Sequence, residues 1–105
     1  MLDVNPLLTA VDALAGRLRA MPQSALRRGA AAVALELARE LADRAQRLEE
    51  PDRPPREMPD AGLFAAGDQV AVAGNDLAEA LRTSGTAREL DEALDRVDRA
   101  ARAVR

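Results

Sequence analysis

Apolar residues recur at helical spacing along most of the chain, and one run holds more of them than a single packing surface can use. In residues 26–50, LRRGAAAVALELARELADRAQRLEE, one face carries Leu26, Ala30, Val33, Leu37, Leu41 and Leu48. Ala31, Ala34, Leu35, Ala38, Ala42 and Ala45 lie beside it. Together they cover roughly half the circumference, against a stripe of about 100° for an ordinary surface helix. The pattern predicts a long helix over 24–50 that touches more than one neighbour and acts as the hub of a bundle.

Three further helices follow from the same periodicity. Leu7, Leu8, Val11, Leu14, Ala15 and Leu18 form one face of a helix over 5–21, with Asn5 as its cap and Pro6 at its first turn. Pro22 ends it, since the residue before proline avoids helical geometry. The short link at Met21-Pro22-Gln23-Ser24 predicts that the first two helices are antiparallel neighbours. A third helix over 61–83 carries two stripes, one with Leu63, Val70 and Leu77, the other with Phe64, Gly67, Gly74 and Leu81. Gly67 and Gly74 each cost about 1 kcal/mol in helix propensity relative to Ala, which points to close approach by a neighbouring backbone. Gly85 reads as a left-handed terminator.

The fourth helix, 86–104, opens on Thr86-Ala87-Arg88-Glu89, a capping-box sequence. Leu90, Leu94, Val97, Ala101 and Val104 form its seam. Its acids, Asp91, Glu92, Asp95 and Asp98, run ahead of Arg96, Arg99, Arg102 and Arg105, which complements the helix dipole. Between the second and third helices, PDRPPREMP at 51–59 holds four of the six prolines, so no helix crosses it. The whole predicts an all-α, antiparallel up-down-up-down four-helix bundle with an Ala/Leu-rich core, in one domain over 1–105.

Composition supports this class. The 105 residues include 24 Ala and 15 Leu but one aromatic, Phe64, and no Ile. Such a core suits close helices and not a sheet, which favours β-branched and aromatic residues. The net charge is −3, so the chain as a whole is no basic nucleic-acid binder. No apolar run approaches the roughly 20 residues of a membrane span. The segment MLDVNPLL lacks the basic start of a secretory signal, and a cytoplasmic setting is expected. Arg to the exclusion of Lys, with abundant Ala, Gly and Pro, matches a GC-rich bacterial genome.

The chain contains no His, Cys or Lys. The commonest general base, thiol chemistry and a lysine base for serine are therefore missing. Glu36, Glu40 and Glu79 fall off the apolar faces without the His that completes a di-metal bundle site. Gly62, Gly67 and Gly74 do not have the spacing of a phosphate loop. No catalytic, cofactor-binding or metal site is expected, no cofactor and no small-molecule substrate.

Arg17, Arg19, Arg27 and Arg28 form the one unusual charge feature, because no acid stands between Asp12 and Glu36. Arg27 and Arg28 sit in the expected opening turns of the second helix, where the dipole disfavours cations. These four are the candidate interaction surface. The expected function is a non-catalytic protein-interaction or assembly module acting through apolar helix faces, with a second copy or another helical protein as partner. The alternative is a regulatory binder that holds nucleic acid or another anionic partner on the four arginines. The acidic balance and the lack of an aromatic for base stacking weigh against nucleic acid.

Overall fold

The computed structural model describes residues 2–104; Met1 and Arg105, the last of the arginines expected to close the fourth helix, lie outside the described residues. Asp3 opens the chain's first helix, its Oδ1 accepting the Asn5 N–H at 3.0 Å. The N-cap position is Val4, with no capping side-chain hydrogen bond, and Asn5 is the first helical residue, so the expected Asn5 cap is corrected. Helix α1 then runs Asn5–Ala20, with Leu7, Val11, Leu14, Ala15 and Leu18 buried.

The second helical stretch is broken. A short lead-in, Gln23–Ala25, passes into a wide turn, Leu26–Ala30, before helix α2 proper, Ala31–Glu49. The break is at Gly29, with φ 145° and ψ −18°. A side chain is strained in that region of the map, so only glycine adopts it cheaply. The unbroken helix expected over 24–50 is therefore corrected. Periodicity continues through the kink because the turn holds Leu26 and Ala30 inside while the chain changes direction.

Helix α3, Ala66–Ser84, follows a single tight turn at Leu63–Ala65, later than the expected start at residue 61. It passes through Gly74-Asn75 without interruption. Helix α4, Ala87–Ala103, starts on the full capping box: the Glu89 N–H donates to Thr86 Oγ1, and the Thr86 N–H donates to Glu89 Oε1. Gly85 is extended (φ −90°), not left-handed. Its small size is what matters, since a Cβ there would sit 2.5 Å from Leu81 Cδ2.

The structure is an all-α four-helix bundle with no strand among the described residues. Its core is Ala, Leu and Val, and no polar or charged residue is buried among the described residues. The helix directions differ from the expected up-down-up-down order. Ala31, Ala32 and Leu35 of α2 share a groove with Ala66 and Gln69 at the start of α3. Further along, Leu48 shares a cleft with Leu77 and Leu81. Helices α2 and α3 therefore run parallel, and the order is up-down-down-up.

The proline-rich segment makes this possible by running back along α2. The Gln46 amide holds the Arg56 backbone at both its N–H (2.8 Å) and its carbonyl (3.0 Å). Arg39 Nε donates to the Met58 carbonyl at 2.8 Å. Gln69 Nε2 donates to the Pro59 carbonyl at 2.7 Å. The strap thus leaves the end of α2 and delivers the chain to the level of its beginning, where α3 starts.

Packing also shifts the hub. Helix α3 shares extensive interfaces with both α2 and α1, and α4 packs more lightly on α1 and α2. Helix α3 buries nine residues to the five of α2. The expectation of a hub in residues 26–50 rests on a wide apolar stripe, yet Ala31, Val33 and Leu35 of that stripe are only half-buried. The short link between α1 and α2 does not make them close neighbours either. Both pack against α3 and α4 instead, because the kink at Gly29 turns the chain away from α1 before the long helix begins.

Gly67 and Gly74 serve the α1–α3 contact. A Cβ on Gly67 would lie 2.8 Å from the Ala15 carbonyl oxygen, and one on Gly74 would lie 2.5 Å from Val11 Cγ1. These are the close approaches that the two glycines signalled in the sequence.

Candidate functional site

The four arginines of the candidate surface come from two places. Arg17 and Arg19 lie in the last turn of α1. Arg27 and Arg28 lie in the wide turn that ends at Gly29 and Ala30. The last two thus stand before the long helix, at the close of a short helical turn, and not in the opening turns of an unbroken helix.

Two of the four point into the fold's own framework. Arg17 donates from Nη1 to the Ala101 carbonyl (3.1 Å) and from Nη2 to the Val104 carbonyl. Those carbonyls close α4, where the helix has unpaired acceptors and a partial negative charge. Arg19 donates from Nε to Asp68 Oδ1 at 2.9 Å and pairs with it through Nη2 at 2.8 Å. Asp68 stands in the first turn of α3, a favourable position for an acid.

The other two arginines are less committed. With its amide oxygen turned toward the guanidinium, Gln23 accepts from Arg27 Nη2 at 2.6 Å. Arg27 also lines a shallow groove with Leu35, Asp60, Leu63 and Gln69. Arg28 is exposed and makes no ion pair or side-chain hydrogen bond with the described residues.

Charge elsewhere is organised across helix boundaries. Glu40 on α2 accepts from Arg44 Nε at 3.1 Å and from Arg96 of α4, and Arg44 reaches Glu92 of α4 at 3.6 Å. Glu40, Arg44 and Glu92 line a cleft of about 400 Å³ together with Leu48, Leu77 and Leu81. The acidic end of α2 is paired locally: Glu50 takes Arg53 and Arg56, and Glu57 takes Arg39. The hydrogen bond and positive charge of Arg56 hold the Glu50 carboxyl below its ordinary value of 4.5, with Arg53 adding to the effect.

No group of three His, Cys, Asp or Glu side chains converges on a possible metal site among the described residues. No buried side-chain polar atom there lacks a partner. No helix among the described residues is long and apolar enough to cross a membrane.

Among the described residues, two large apolar side chains are exposed. Phe64 is 75% exposed and Val72 56% exposed. Sequence periodicity placed Phe64 in the stripe of Gly67 and Gly74. The tight turn at Leu63–Ala65 breaks that register and turns the ring outward. The signal that marked it was its status as the only aromatic residue of the chain. Comparison with protein-family models, curated proteins and solved structures finds no match to this chain.

Proposed function

We propose that this protein is a non-catalytic interaction and assembly module, acting through apolar helix surface and preferring a second copy of itself. The observation that carries the reading is the exposure of Phe64, at 75%. Aromatic side chains bring large contact area at low entropy cost and are enriched at interface centres. A chain with a single aromatic that holds it in solvent has a use for it outside the core. Val72, at 56% exposure, adds a second apolar contact on the same polypeptide segment. The lack of His, Cys and Lys in the sequence favours binding over catalysis. A cytoplasmic setting belongs to the same proposal.

The test is static light scattering over a wide concentration range on the intact chain and on Phe64→Ser. Concentration-dependent association that weakens in the variant supports the reading. A monomer at every concentration removes it. The anion-binding alternative has less support, because Arg17 and Arg19 are engaged within the fold and, of the four, Arg28 alone has no side-chain partner among the described residues. Binding of that kind would fall steeply with added salt, whereas apolar association would not.

A further inference from the structure

Every close helix–helix interface in this bundle joins the first half of the chain to the second. Helix α1 packs on α3 and α4, and α2 packs on α3 and α4. Neither α1 with α2 nor α3 with α4 forms a comparable interface. Each half is a pair of helices that pack not on each other but on the helices of the other half. The polar contacts follow the same division: Arg17 to the α4 carbonyls, Arg19 to Asp68, and Arg96 and Glu92 to Glu40 and Arg44.

The two halves are joined by one strap, residues 50–62. Among the described residues, its only backbone–backbone hydrogen bonds are local ones at its two ends. Its middle is held by the side chains of Gln46, Arg39 and Gln69. Most of it is exposed, with Glu50, Pro55 and Met58 half-buried. Four prolines keep the strap from collapsing into a helix. Extended at about 3.1 Å per residue, it spans roughly 40 Å. That matches the 40 Å long dimension of the bundle, so a released half reaches a neighbouring molecule.

We propose that this chain exchanges halves with a second copy, the strap opening so that α1–α2 of one molecule closes on α3–α4 of the other. The partner is a second copy because only the same sequence re-forms every inter-half contact, from the Gly74–Val11 approach to the Arg17 cap. No exposed apolar face is needed, so the exchange stands independently of the association through Phe64. Domain exchange of this kind is a low-cost route to a dimer, since both states share their contacts and differ in the hinge.

The experiment uses two full-length chains, one carrying Arg19→Cys and the other Asp68→Cys, in a sequence that has no other cysteine. They are mixed, unfolded in urea, refolded together at rising protein concentration, and treated with a short thiol-reactive crosslinker. A chain carrying both substitutions serves as the control for reach. Exchange gives a crosslinked heterodimer whose yield rises with concentration. Crosslinking in the double variant with no heterodimer at any concentration overturns the proposal, whether or not the protein associates through Phe64. A second variant lacks residues 52–59, leaving about 20 Å of strap, too little to run back along α2. It is expected to be a dimer of normal helicity, and a folded monomer would overturn the proposal equally.

Discussion

A Cβ on Gly74 would lie 2.5 and 2.6 Å from the two γ-carbons of Val11. Valine in a helix has essentially one favoured rotamer and cannot turn aside. Gly74→Ala therefore sets a propensity gain of about 1 kcal/mol against an overpacking cost of about 1–3 kcal/mol. The expected result is net destabilisation of about 1 kcal/mol in urea unfolding. Combining it with Val11→Ala should restore part of the loss, because the clashing atoms are then gone. Gly16→Ala is the contrast: nothing lies within 4 Å of its Cβ position, so it should stabilise by up to about 1 kcal/mol.

Gly29 gives a prediction whose sign separates the broken helix from a continuous one. In an unbroken helix, Gly29→Ala would stabilise by about 1 kcal/mol. At φ 145° the alanine is strained, and destabilisation of about 1–3 kcal/mol is expected. Thermal unfolding of this single variant reads the difference directly.

The sequence made the apolar periodicity and the closing boundary of each helix legible, but not the starts of α2 and α3, and it left partners obscure. Thr86 and Glu89 announce their own structure because a capping box is closed within four residues. Gly67 and Gly74 were readable as a close approach, although Val11 and Ala15 as the approached residues were not. The parallel course of α2 and α3 was illegible, since a proline segment says only that helix stops. Its return path depends on Gln46, Arg39 and Gln69, each of which reads in isolation as a surface residue. The arginine group looked uncompensated for the same reason: Asp68 and the carbonyls of Ala101 and Val104 lie in the other half of the chain. The break at Gly29 is hidden in the sequence because the apolar period continues on both sides of it.

Arg17 ties the end of α1 to the end of α4. Arg17→Gln removes two hydrogen bonds from a charged donor at an exposed site, with an expected cost of about 1 kcal/mol. The effect should be local. Amide hydrogen exchange should rise in the last turn of α4, near Ala100 and Ala103, and stay unchanged near Thr86.

The Glu50 carboxyl is held in its charged form by Arg56 first and Arg53 second. Its folded value is lowered, so its contribution to folding is fully present above its ordinary 4.5 and is lost as pH falls through the lowered value. Carbon-detected NMR titration should place its midpoint below 4.5, and Arg56→Gln should move it back up. A midpoint that ignores Arg56 would contradict the pairing.

The parallel course of α2 and α3 underlies the strap, the interlocked halves and their exchange. It is tested most directly by distances between paired spin labels, measured in dilute protein. Thr83 near the end of α3 is labelled together with either Glu49 at the end of α2 or Ala32 at its start, all three being exposed. Ala32 and Glu49 stand about 26 Å apart along the helix axis. Parallel helices give a short Glu49–Thr83 distance and a long Ala32–Thr83 distance. The reverse order would contradict the parallel arrangement and restore an up-down-up-down bundle.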